Sequence, residues 1–238
     1  MFDILFSPIR IRDLQLPHRI VLPAMGTKFS GNDCYVTDKL IDYHVARVKG
    51  GSGLNIVEVA SVHTPSAPRH FLSISDDKYI PGLKRLTDAI HKAGGNAGIQ
   101  LWQGSLAVGM DQTAQILVAS DMPVAPQITL PGITKEQIDE IVSCYGAAAA
   151  RAVEAGFDCI EFHCAHNYLP HSFLSGGINH RTDEYGGSLE NRAKFPLACI
   201  RAIRESIPEG MPLFMRIDAH DDYLEGGLTI EEIGRAHV

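Results

Sequence analysis

Within six residues, His163-Cys-Ala-His166-Asn-Tyr168 sets two imidazoles and a phenol just past an apolar, strand-like run, Cys159–His163. Two rings three residues apart can both donate to one ligand oxygen, and a tyrosine hydroxyl beside them can deliver a proton when its anion is stabilised. The same residues can instead be satisfied polar side chains that fix a loop. Other capable residues end other apolar runs. Gln100 closes Asn96–Leu101, with Trp102 and Gln103 just beyond it, and Arg216 ends Pro212–Ile217, with Asp218 and His220 next. An amide offers the donor–acceptor fork that reads a heterocycle edge, or it simply satisfies backbone. A guanidinium at such a place suits a developing anion, or it is a structural ion-pair partner. His163, His166, Asp218 and His220 also compose a ligand set for Zn or Mn in a metal-dependent barrel hydrolase. That alternative leaves Gln100 without a role and puts Arg216 beside a cation.

The elements that must position these residues alternate regularly. Ile20–Ala24, Leu54–Ala60, Asn96–Leu101, Cys159–His163 and Pro212–Ile217 read as strands, and the stretches 37–49, 81–93, 134–155 and 188–206 read as helices. Thr134-Lys-Glu-Gln137 and Thr229-Ile-Glu-Glu232 have capping-box spacing, and Ser188 is placed to cap its helix. A long irregular stretch, 102–132, reads as a surface loop, and the polar segment 179–192 reads as a hydrogen-bonded scaffold in preference to a phosphate loop. Strands alternating with helices predict βα units around a parallel sheet. No G-x-G-x-x-G follows the first strand, which disfavours a dinucleotide-binding Rossmann half. The predicted fold is α/β, a TIM (β/α)8 barrel, whose catalytic residues stand at strand ends.

Composition sets limits on partners. The 238 residues are 45% hydrophobic and 21% charged with a net charge of −7, a globular balance with no basic stripe for nucleic acid. No run approaches the roughly 20 apolar residues of a membrane helix. No secretory signal is visible, so a cytoplasmic location is expected. The five cysteines contain no C-x-x-C pair, which predicts reduced, buried thiols without a metal knuckle.

The residues Leu5-Phe-Ser-Pro8, His18-Arg-Ile-Val-Leu-Pro-Ala-Met-Gly-Thr27, Gln100-Leu-Trp102, His163–Leu169 and Arg181-Thr-Asp-Glu-Tyr-Gly-Gly-Ser-Leu-Glu-Asn-Arg192 resemble the Old Yellow Enzyme group. These are FMN-dependent ene-reductases, and the chain is most like their NADH:flavin oxidoreductase and 2,4-dienoyl-CoA reductase branch. The resemblance implies that backbone at Pro23, Ala24, Met25 and Gly26, with Ala60, lies against the flavin ring. It implies that Gln100 bonds the pyrimidine edge and that Arg216 stabilises charge at N1 and O2. His163 and His166 would hold the carbonyl oxygen of an α,β-unsaturated substrate, with hydride from flavin N5 and a proton from Tyr168. NADH or NADPH would be the reductant and no catalytic metal is needed. A 4Fe–4S cluster and FAD in a further C-terminal part, and a homo-oligomeric parent, remain open. The chain departs from the family pattern at Gly26, where relatives carry Thr, Cys or His, and at Cys164 and Asn167, where they carry glycine. Gly176-Gly177 stand where a proline is common.

Five strands spaced by roughly 48 residues fall short of a closed barrel. The expectation is a partial FMN-binding barrel over residues 1–232, truncated after about five βα units. Glu232-Ile-Gly-Arg-Ala-His-Val238 resembles the in-frame translation of a sequencing-library adapter, so residues 233–238 are expected to be a non-native tail. A truncated barrel could itself be inactive.

Overall fold

The computed structural model describes residues 2–106 and 113–235. A hairpin not foreseen from the sequence opens the chain, β1 (Ile9–Ile11) and β2 (Leu14–Leu16). There follow β3 (Val21–Leu22), α1 (Asp38–Lys49), β4 (Leu54–Ser61), the short β5 (Leu72–Ser73), α2 (Ile80–Lys92) and β6 (Asn96–Trp102). A second hairpin, β7 (Met122–Ala125) and β8 (Ile128–Leu130), precedes α3 (Lys135–Glu154), β9 (Cys159–Cys164) and α4 (Leu169–Leu174). The chain continues through α5 (Leu189–Arg192), α6 (Lys194–Glu205), β10 (Leu213–Ile217) and α7 (Ile230–Arg235).

The central sheet runs β3-β4-β6-β9-β10, every pair parallel, with β5 paired to β4 beside this path. Neighbours in space are neighbours in sequence, which is barrel order; a doubly wound sheet reverses direction at a switch point. The architecture is therefore the arc of a TIM barrel with β3 and β10 at its two ends. The larger apolar core lies between the sheet and its helices. In α2, Ile80, Leu83, Leu86, Thr87 and Ile90 are buried at helical spacing, and each fully buried aliphatic side chain contributes about 1.5–3 kcal/mol. A smaller cluster, Leu14, Leu16, Leu54, Ile56 and Cys159, joins the first hairpin to the sheet.

Local chemistry explains the element ends. Thr37 caps α1, Ser188 caps α5, and Thr134 with Gln137 makes both bonds of a capping box. Thr229 and Glu232 exchange the same pair of bonds at 3.3 Å each. Three expectations are corrected. The first strand shrinks to two residues, because Pro23 has no N–H for the ladder. The helix foreseen over 188–206 is two pieces meeting at Ala193. The stretch 102–132 is no simple loop: it contains the β7–β8 hairpin, turning at Gln127 with φ 65°, and its residues 107–112 lie outside the described residues. In the expected tail, the Ile233 amide donates to the Thr229 carbonyl within α7 at 3.1 Å, and residues 236–238 lie outside the described residues.

Four of the five cysteines are buried, and Cys144, expected to be buried, is partly exposed. Among the described residues no helix is long and apolar enough to cross a membrane.

Candidate active site

Parallel register gathers one half of the site. Gln100 on β6 pairs with Glu161 on β9, and His163 on β9 pairs with Arg216 on β10. Side chains two apart on a strand share a face, so these four groups project together. Glu161 Oε1 accepts from Gln100 Nε2 at 2.5 Å and from Arg216 Nε at 3.2 Å. Gln100, Glu161 and His163 are buried, and the Arg216 side chain is about one-third exposed. Glu161 was missed from the sequence, although an acid inside the apolar run Cys-Ile-Glu-Phe-His is itself a signal. A buried carboxylate persists only with partners.

The other half stands on the turn after β9. His166 and Asn167 both adopt left-handed backbone, φ 60° and 59°. That conformation is open to glycine and tolerated by asparagine, which accounts for Asn167 where relatives have glycine. Cys164, at the other departure, keeps ordinary backbone and is fully buried. The turn sets the His163 and His166 ring centroids 5.1 Å apart and those of His163 and Tyr168 4.8 Å apart, all nearly perpendicular. One ligand oxygen can sit within reach of both imidazoles. Burial, helped by positive charge at His166 and Arg216, pushes His163 down to about 3, so it is neutral at ordinary pH. Its buried Nδ1 has no hydrogen-bond partner among the described residues. Burial raises the Tyr168 hydroxyl above its ordinary value, which keeps the phenol protonated.

Pro23, Met25 and Gly26 are exposed after β3, Ala24 is half-buried, and Ala60 is fully buried in β4. A buried carboxylate holds the segment that follows them. Glu58 accepts from the Thr27 amide at 2.6 Å and from the Ser30 hydroxyl at 3.4 Å. Burial raises Glu58 against these bonds. Aromatic contacts connect this segment to the histidines. A Cβ on Gly26 would sit 3.6 Å from Phe71, whose ring lies 5.5 Å from Trp102, and Trp102 meets Tyr168 edge-on at 5.1 Å. The expected groups after β3, on β4, β6, β9 and β10 and on the turn after β9 thus stand toward one end of the sheet.

The metal set His163, His166, Asp218 and His220 is not assembled. His220 is exposed and makes no part of a ligand cluster. Among the described residues the group with ligand atoms within 4.8 Å of one another is His171, Asp218 and Asp221. The scaffold reading of 179–192 agrees with its bonds. Arg181 donates to the Ala119 and Ile133 carbonyls at 2.7 Å and pairs with Asp183, while Asn179 Nδ2 ties the Phe173 and Tyr185 carbonyls. Gly186 is required there, since a Cβ would collide with the Arg181 carbonyl.

Comparison with known proteins follows this geometry. The family model described as NADH:flavin oxidoreductase / NADH oxidase matches residues 4–238. An NADH oxidase of Thermoanaerobacter brockii is 40% identical over 97% of this chain and 36% of the relative. An NADPH dehydrogenase of Listeria monocytogenes is 38% identical over 96% of this chain and 67% of the relative. The crystal structure of an Old Yellow Enzyme from a Pichia species superposes with a TM-score of 0.88 at 26% identity, covering 98% of this chain and 65% of that one. The chain therefore spans between about one-third and two-thirds of the length of these proteins. With strand-end groups in barrel order and a family match over nearly all its residues, this chain belongs to the NADH:flavin oxidoreductase / NADH oxidase family.

Proposed function

We propose that these residues bind FMN and reduce the C=C bond of α,β-unsaturated carbonyl compounds, enones or enoyl and dienoyl thioesters, with NADH or NADPH as reductant. The observation that carries this reading is a neutral, buried His163 whose Nδ1 has no hydrogen-bond partner among the described residues. It stands between Tyr168 and the Gln100–Glu161–Arg216 set.

The residues present fit the cofactor. Pro23, Met25 and Gly26 are exposed and open to a ring, while Gln100 and Arg216 offer an amide and a cation to a heterocycle edge. Bound FMN supplies the hydride chemistry. Arg216 would supply positive charge to stabilise an anionic ring. His163 and His166 hold the substrate carbonyl oxygen, and a neutral His163 donates a hydrogen bond to it without bringing a charge. The Tyr168 hydroxyl holds the proton for the substrate α-carbon.

FMN titration of the chain tests the cofactor assignment. Saturable binding that quenches flavin fluorescence is expected, weakened about tenfold or more by Arg216→Leu, the cost of one charged hydrogen bond. Unchanged affinity in that variant, or a stoichiometric metal in place of flavin, contradicts the assignment.

A further inference from the structure

His171 is the one histidine of the site region that the reading above leaves without a task. It sits in α4, directly behind the turn that carries His166 and Tyr168, and is fully buried. Its Nε2 lies 3.2 Å from Asp221 Oδ1 and 3.5 Å from Asp218 Oδ2, but the angles are outside hydrogen-bond geometry, and neither Nε2 nor Asp221 Oδ1 has a hydrogen-bond partner among the described residues. A histidine flanked by two carboxylates invites a metal, and the other ring nitrogen argues against one. The Asn167 backbone N–H donates to His171 Nδ1 at 3.2 Å. A neutral imidazole has one N–H and one lone pair. With the lone pair engaged at Nδ1, the proton is on Nε2, facing the carboxylates, and no lone pair is left there for a cation.

The same carboxylates are occupied by backbone donors. Asp218 Oδ2 accepts from the His166 amide at 2.7 Å, and Asp221 Oδ2 accepts from the Leu228 amide at 3.2 Å. Tyr223 donates to Asn167 Oδ1 at 2.9 Å and Ser172 donates to the Asn167 carbonyl at 2.8 Å. A turn of two successive left-handed, non-glycine residues is thus gripped through both of its amides. One grip is a carboxylate that follows β10 and the other is the His171 ring.

We propose that His171, protonated on Nε2 and accepting the Asn167 amide at Nδ1, is a positioning residue that locks the His166–Asn167 turn and so fixes His166 and Tyr168. Its importance to substrate reduction rests on the proposed function, but its tautomer and its grip on the turn do not.

The test uses the full chain with ¹⁵N-labelled histidine. Two-bond proton–nitrogen correlation, with the His171 signal identified by its loss in His171→Gln, is expected to show a protonated Nε2 and a bare Nδ1. The opposite tautomer, or loss of that signal on stoichiometric addition of Zn²⁺ alone, overturns the proposal in favour of a metal site. Trp102 is the single tryptophan of the chain and touches Tyr168, so its emission reports the turn. His171→Asn places an amide oxygen near the Nδ1 position and should keep the wild-type emission maximum, whereas His171→Leu should shift it. Equal emission in both folded variants overturns the positioning role. If His171→Leu does not fold, the tautomer measured in the wild-type chain decides alone. Failure of FMN to bind, with the tautomer as expected, sinks the proposed function and leaves this inference standing.

Discussion

The two halves of the site are held by different physics. Gln100, Glu161, His163 and Arg216 stand on paired strands, where the ladder fixes each Cα and alternation fixes each direction. His166 and Tyr168 stand on a left-handed turn held by side-chain bonds from Asp218, His171, Ser172 and Tyr223. In the first, Gln100, Glu161 and His163 are buried and Arg216 alone reaches solvent. In the second, His166 is more than half exposed and Tyr168 is half-buried. The rigid half suits a constant partner such as a ring edge, and the turn suits a substrate that must enter and leave. Electrostatics divide the same way, since the strand half holds a carboxylate–guanidinium pair and a histidine that refuses a proton.

That division predicts graded effects. Removing the carboxylate should hurt most. Glu161→Ala strands the buried Gln100 amide and removes the carboxylate that Arg216 pairs with, and should cost about 2–3 kcal/mol in urea denaturation. A loss under 0.5 kcal/mol would mean that the strand half is not built around Glu161. Next comes acid. His163 titrates near 3 in the folded chain against 6.5 unfolded, so below pH 6.5 the unfolded chain takes up a proton that the folded chain refuses. Stability should therefore fall as pH drops from 6.5 towards 3, with His163 contributing up to about 1.4 kcal/mol per pH unit. His163→Asn should flatten that slope by about one proton; an unchanged slope would place the His163 ring in water. His44, buried with no hydrogen-bond partner on either ring nitrogen among the described residues and pushed down to about 4, adds a similar slope in both proteins.

The strand half was also the more legible in the sequence. Gln100, His163 and Arg216 could be placed because apolar runs mark strands and strand ends mark barrel chemistry. Glu58 and Glu161 were passed over because their significance depends on partners across the sheet, Thr27 and Ser30 for one and Gln100 and Arg216 for the other. The turn half was seen only as a motif. The left-handed pair at His166 and Asn167 is a backbone property that no periodicity reports, and His171 looked like one polar residue in a short apolar run. Asp218 was noticed, but as a metal ligand, since its bond to the His166 amide spans 52 residues. Both hairpins escaped too, being short segments whose pairing tertiary contacts stabilise.

The turn half meets its strictest test at Tyr168. Its hydroxyl stabilises nothing essential to folding, so Tyr168→Phe should leave stability within about 0.5 kcal/mol of wild type. In FMN-loaded protein, the two half-reactions should then separate. Enone reduction should slow by about a hundredfold or more, the range of a positioned general acid, while flavin reduction by NADH or NADPH keeps its wild-type rate. Equal rates for both half-reactions in the variant and the wild type would contradict the assignment of Tyr168 as proton donor.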